Sequence, residues 1–218
     1  VIRLQHGLAI DCVTPPKTIH PTLPQFAHIT QRNQQIWQTY WRKSGVQLAD
    51  TILERTWYHN LYFFNCAVSP DHTCPGLFAN WSYLTIGTAW HGDYHMNYNT
   101  QQPFWLCFSS NHVDKHLAYV NLVDQILPIS RRWAQEYYQL PGAYYPHSAY
   151  PTTMNVMPYP VPTWGWEICE TPWTVQSLWW HYRYTHDVEF LQTRAITPIR
   201  AAVGFTTRCV VAGTRPLR

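Results

Sequence analysis

The chain has 218 residues, of which 12% are Asp, Glu, Lys or Arg and 16% are Phe, Tyr or Trp, and its formal net charge is +3. So few charges and so many rings exclude a disordered polyelectrolyte, and the basic residues form no stripe dense enough to bind a run of phosphates, so no nucleic acid partner is expected. No apolar run reaches the roughly 18 residues of a membrane span, which argues against a membrane partner.

Residues 1–27 hold Pro15, Pro16, Pro21 and Pro24 and keep no steady period, so they read as an irregular lead-in or linker. From His28, Ile29, Ile36, Trp37, Tyr40 and Trp41 return at helical spacing. Gly45 ends that pattern. A second helix is predicted from Val46 to about Asn65, through Ala49, Ile52, Leu53, Trp57, Leu61 and Phe64. Two antiparallel helices joined by a short turn is the simplest arrangement.

Residues 66–103 are punctuated by Pro70, Pro75, Gly76, Gly87, Gly92 and Pro103 and read as a long structured loop, a common place for function. Phe104 to Phe108 reads as a buried helical segment. Ser110 or Asn111 is a candidate cap for a helix from His112, with an apolar face of Leu117, Val120, Val123, Ile126 and Leu127. Pro128 is expected to kink or interrupt it, because proline lacks an amide proton and crowds the preceding turn. Helical spacing resumes with Trp133, Ala134, Tyr137 and Tyr138.

Residues 141–170 form a second loop rich in Pro, Gly, Tyr and Trp. Thr171–Pro172 then reads as a cap followed by proline in the first turn. Val175, Leu178, Trp179 and Tyr182 continue a helical face. Asp187 is the expected cap of the next helix, through Phe190, Leu191 and Ala195, with Pro198 as a possible bend. Beyond Phe205 the pattern fades, and residues 206–218 read as an atypical tail. Strand alternation is nowhere sustained, so the expected class is all-α with paired helices and long loops.

The six cysteines include no CxxC pair, which leaves a zinc knuckle or redox motif without support. Cys66 and Cys74 either close a short loop in an oxidising compartment or remain thiols. No positively charged start followed by an apolar core is visible, which says little about location; the location is left open, with a periplasmic or extracellular place compatible with the sequence.

The densest polar and aromatic stretch runs from Trp90 to Trp105 and contains Asn97 and Asn99. In an extended chain these two amides share a face, where they suit sugar hydroxyls or a water that must be aimed. Local turn capping is the alternative. His91, Asp93 and His95 would make a metal set only on a helix, which Gly92 opposes, so hydrogen-bonding or core histidines are expected instead. In the second loop, Tyr144, Tyr145, His147, Trp164 and Trp166 offer rings and a polar edge for a sugar, or else core filling. Glu167 and Glu170 lie three apart. Shielding by the neighbouring rings would raise the pKa of one of them and suit it to hold a proton. A salt link or a helix-start carboxylate is the plainer alternative.

The run WHGDYHMNYNTQQPFW resembles the bacterial alpha-L-fucosidase type of inverting glycoside hydrolase, family ninety-five. The resemblance extends from about His28 to Phe205. It takes in Pro75-Gly76-Leu77-Phe78-Ala79-Asn80-Trp81, Leu140-Pro141-Gly142-Ala143, and Trp179-Trp180-His181-Tyr182-Arg183-Tyr184-Thr185. It implies a partial (α/α)6 toroid over residues 28–205, truncated or altered in reading frame near Phe205. It also implies a carbohydrate substrate and a reaction that needs neither metal nor organic cofactor. Asn97 and Asn99 match the family's water-orienting pair. Trp90, Asp93, Tyr94, His95, His147, Trp164, Trp166, Glu167 and Glu170 are the expected walls of the sugar pocket. The family's acid and base lie farther along than the matched region. The alternative reading of the same residues is a carbohydrate-binding or purely structural helical fragment.

Overall fold

The computed structural model describes residues 23–79, 92–149 and 167–213. Trp90, Trp164, Trp166 and the Asn80–Trp81 part of the first loop lie outside them. The chain divides into two compact units, residues 1–45 and 46–218. In the first, helix α1 (Leu23–Trp41) buries Tyr40 and stacks Trp37 on Trp41, with ring centroids 5.7 Å apart. It begins five residues ahead of His28, so the last part of the expected lead-in is already helical.

The second unit opens with α2 (Thr51–Ala67). Asp50 caps it, its carboxylate accepting from the amides of Ile52 at 2.9 Å and Leu53 at 3.1 Å. That cap satisfies two of the amides every helix start leaves without partners, and it sets the start at Thr51 rather than Val46. After the first loop, a 3-10 turn (Gln102–Trp105) runs into the short helix α3 (Leu106–Ser109). A second 3-10 turn (Val113–His116) leads into α4 (Leu117–Tyr138). Neither Ser110 nor Asn111 caps α4; His112 precedes the second 3-10 turn and His116 precedes α4, neither with a side-chain cap bond.

α4 runs unbroken through Pro128, contrary to the interruption the proline predicts. Tertiary burial outweighs the local penalty: Tyr119, Leu122, Val123, Ile126, Trp133 and Ala134, on both sides of the proline, are all buried. The helix ends at Gln139, which takes the left-handed conformation at φ 53°.

Helix α5 (Glu170–Thr185) starts one residue before Thr171, so Thr171 is inside the helix and is not its cap. Its hydroxyl instead accepts from the Tyr145 amide at 3.0 Å and lies 3.3 Å from the Tyr145 carbonyl, pinning the second loop to α5. Asp187 does cap the next element, accepting from the Phe190 amide at 2.9 Å. A short helix α6 (Val188–Phe190), one wide π turn (Leu191–Ala195) and α7 (Ile196–Gly213) follow as one continuous rod. The widened turn ends just before Pro198, where it relieves the crowding that proline imposes on the preceding turn. α7 continues past Phe205, which is fully buried, to Gly213.

α5 pairs with α7, and α4 packs against both. The fold is all-α, its paired helices consistent with a partial (α/α) toroid. The core is continuous from Phe64 and Val68 through Tyr119, Val123 and Ile126 to Leu178, Phe190 and Ala202. Within it, the His116 imidazole lies 3.1 Å from that of His181 and 3.0 Å from the Ser177 hydroxyl.

The stretch from the end of α4 to Tyr145 is clamped to three helices. The Tyr144 amide donates to the Ser130 carbonyl on α4 at 2.9 Å, and the Ala143 amide to the Ala201 carbonyl on α7 at 3.0 Å. Thr171 on α5 holds Tyr145. Gly142 makes the approach to α7 possible. It has φ 115°, and a Cβ there would lie 2.6 Å from the Phe205 amide nitrogen. Cys66 and Cys74 are both free thiols, Cys66 exposed and Cys74 buried.

Candidate active site

Two short strands build the centre of the site. β1 (Tyr94–His95) and β2 (Ser148–Ala149) pair antiparallel, Tyr94 opposite Ala149 and His95 opposite Ser148. The Met96 amide extends the ladder by donating to the His147 carbonyl at 2.7 Å. This pairing joins the first loop to the second across a long stretch of sequence, and so brings His95 beside His147.

The first loop is fixed from below. The Tyr94 hydroxyl donates to the Cys74 carbonyl at 2.6 Å, and the Cys74 amide donates to the Ala118 carbonyl on α4 at 3.0 Å. The Leu77 amide donates to the Asp93 carbonyl at 2.9 Å, and Gly76 sits so close to Gly92 that a Cβ would collide with the Gly92 carbonyl. Burial pushes the Tyr94 phenol up, so it stays a neutral donor.

Side chains from three segments then meet. The Asp93 carboxylate is hydrogen-bonded to His95 Nδ1. The His95 and His147 rings meet edge to face, centroids 5.1 Å apart. His147 Nδ1 lies 3.4 Å from Glu167 Oε2 and 4.0 Å from Glu170 Oε1. Glu170 is only 1% exposed. Burial, then the hydrogen bond with Glu167, pushes its carboxyl up to about 7. The same hydrogen bond, together with His147, holds Glu167 below the usual carboxylate range. The two carboxyls thus share a proton that resides on Glu170 and is partly held at neutral pH. The shielded neighbours include the Tyr144 and Tyr145 rings, both fully buried and with phenols pushed up by burial.

Asn97 and Asn99 do not lie on one extended face. Residues 96–101 form successive turns, closed by the Thr100 amide donating to the His95 carbonyl at 3.0 Å. The Asn97 amide oxygen is buried and has no hydrogen-bond partner among the described residues; the same holds for the Gln101 amide oxygen and the Thr100 hydroxyl. Gln101 donates from its amide nitrogen to the Met96 carbonyl and so braces the turn. Asn99 is exposed and lines a groove of about 800 Å³ with Trp57, Asn60, Phe64, Gln102 and Trp105. Tyr98, between the two amides, meets Trp105 at 6.0 Å and Trp173 at 6.1 Å between centroids.

The structure therefore brings Asp93, His95, His147, Glu167 and Glu170 into one cluster, with Tyr94 beneath it and the Asn97–Asn99 turn directly following β1. The His147–Glu170 contact is invisible to local pattern, since it depends on loop pairing. So does the buried His116–His181 pair, although His181 does share the face of Val175 and Leu178 by helical spacing.

What such a cluster can do is hold and pass protons beside polar ligands, next to a groove whose rings and amides suit a sugar. No curated protein matches the chain. Residues 27–216 match the glycosyl hydrolase family 95 catalytic domain. The match begins close to His28 and, like α7, extends beyond Phe205. With most of the chain covered, its function is glycoside-hydrolase-like in the broad sense, and the chain belongs to the glycosyl hydrolase family 95 catalytic domain family.

Proposed function

We propose that the chain contributes the water-orienting half of an inverting glycosidase site for fucosides or closely related sugars in oligosaccharides or polysaccharides. The observation that carries this reading is the placement of the Asn97–Tyr98–Asn99 turn. It follows directly on His95, a member of the Asp93–His95–His147–Glu170 cluster, and its Asn99 lines the groove together with Trp57 and Trp105.

In an inverting reaction a water attacks the anomeric carbon while an acid protonates the leaving oxygen on the opposite face, the two carboxyl groups standing roughly 6.5–9.5 Å apart. Neutral amides align that water without adding a charge that would compete for the proton. Asn97 and Asn99 take this role. Asp93, His95, His147, Glu167 and Glu170 receive sugar hydroxyls: Glu170 donates while protonated, and Glu167 accepts. The residues that protonate the leaving group and activate the water are not assigned within this chain, and its own turnover is expected to be weak.

The test is a panel of aryl α- and β-glycosides with the product anomer read by proton NMR, alongside saturation-transfer NMR for binding of the free sugars. The expected result is binding of fucose or a related sugar, weakened by Asn99→Ala, with any released sugar appearing first as the inverted anomer. Absence of sugar binding across the panel would overturn the proposal, as would release of the retained anomer. Rapid turnover abolished by Glu170→Gln would overturn the division of roles.

A further inference from the structure

We propose that His147, Glu167 and Glu170 form a binding site for a divalent first-row transition-metal ion. One ligand atom from each of the three lies within 4.8 Å of the other two, a spacing that a single ion can bridge. The set is not the His91–Asp93–His95 group that the sequence offers for a metal. It is assembled from β2's approach and the start of α5, and it exists only because the loops pair.

Charge supplies an independent argument. Two carboxyl groups meet here, one of them almost wholly buried, and among the described residues no Lys or Arg forms an ion pair with either. Desolvated like charges at this range require a compensating positive charge. A divalent ion supplies it and binds three donors at once.

The donors also have the surroundings of ligands. The His147 side chain is 9% exposed and that of Glu170 only 2%, whereas that of Glu167 is 39% exposed. Two donors are fixed by packing, and the third opens to solvent, leaving an entry path and room for a water or a sugar oxygen on the ion. The His147 ring is packed against His95, which Asp93 holds by a hydrogen bond, and the His147 backbone is tied to Met96. Such outer support fixes the ring that a metal would use. One imidazole with two carboxylates suits Mn²⁺ or Zn²⁺ better than a thiol-seeking ion.

The inference uses three side chains that the glycosidase reading gives to sugar hydroxyls, and it is tested apart from that reading, since ion binding is measured without sugar or turnover. The probe is Mn²⁺, which avoids competition from the free cysteines, followed by loss of its free-ion electron paramagnetic resonance signal on titration into the full chain at pH 7.5. The expected result is one bound ion per chain, with affinity reduced more than about tenfold in Glu167→Gln and in His147→Ala. Glu167→Gln changes a partly exposed side chain, so its circular dichroism and melting temperature without metal should match the parent. Failure of the parent to bind one equivalent would overturn the proposal, as would unchanged affinity in folded Glu167→Gln.

Discussion

Two histidine clusters differ in what surrounds them, His116, His147 and His181 being buried and His95 partly so. His116 and His181 sit in the helical core among Phe104, Phe108, Tyr119 and Phe190, with Ser177 as a hydroxyl partner and Asp187 as the nearest influence favouring charge. Burial holds His116 well below the ordinary imidazole value and lowers His181 to about 4. His95 and His147 sit where two loops pair, and their neighbours are Asp93, Glu167 and Glu170. The same side chain thus sits among rings and a hydroxyl in one cluster and among carboxylates in the other. Residue type alone does not distinguish the two; the partners do.

The largest expected effect falls on the core cluster. His116→Ala removes a fully buried ring and leaves the Ser177 hydroxyl and His181 without that partner, so we expect a loss of roughly 3 kcal/mol in denaturant unfolding. Glu167→Gln, in the loop cluster, should change stability by less than about 0.5 kcal/mol. Equal losses from the two would erase the distinction between a packing cluster and a chemical one.

The pH dependence should sharpen it. His181 is lowered from 6.5 to about 4, so the fold holds the neutral ring; that contribution is complete above 6.5 and is lost as the pH falls toward 4. Glu170 is raised from 4.5 to about 7, so its contribution is complete below 4.5 and is lost as the pH rises through 7. Between these limits the two slopes oppose each other. His116 and Glu167, both held low, add to the loss on the acid side, so chemical denaturation from pH 8 to 4 should show the parent losing stability on acidification, with Glu170 opposing part of that loss. Glu170→Gln should steepen the loss on acidification, and His181→Gln should reduce it. Superimposable profiles for the parent and Glu170→Gln would show that the carboxyl pair does not hold its proton.

A smaller effect tests the connection that follows α5. Asp187→Ala removes the cap on the Phe190 amide and should cost about 1 kcal/mol in thermal or denaturant unfolding. His181 stacks on Phe190, with centroids 4.1 Å apart, so part of this loss should disappear in a His181→Gln background.

The sequence pattern was a good guide wherever a single segment decides the outcome. Asp187 is a cap because its own carboxylate reaches an amide three residues on, and α2 follows the spacing of Leu61 and Phe64. It misjudged Pro128, Thr171 and the residues beyond Phe205, because burial in α4, a bond to Tyr145 and the packing of Phe205 are tertiary facts. Glu167 and Glu170 were legible as a pair whose environment decides their chemistry, and the resemblance singled out Asn97 and Asn99. The turn that carries those two amides was not legible, since it depends on the ladder with β2 that precedes it.

Gly142 gives the clamp on the second loop a consequence for inheritance and engineering. The space at this position admits only a hydrogen, and the backbone there has a sign of rotation that other residues adopt at a cost. A methyl group at 142 would push the chain off α7 and carry the disturbance five residues onward to His147, leaving every functional side chain in place in the gene but out of register in the protein.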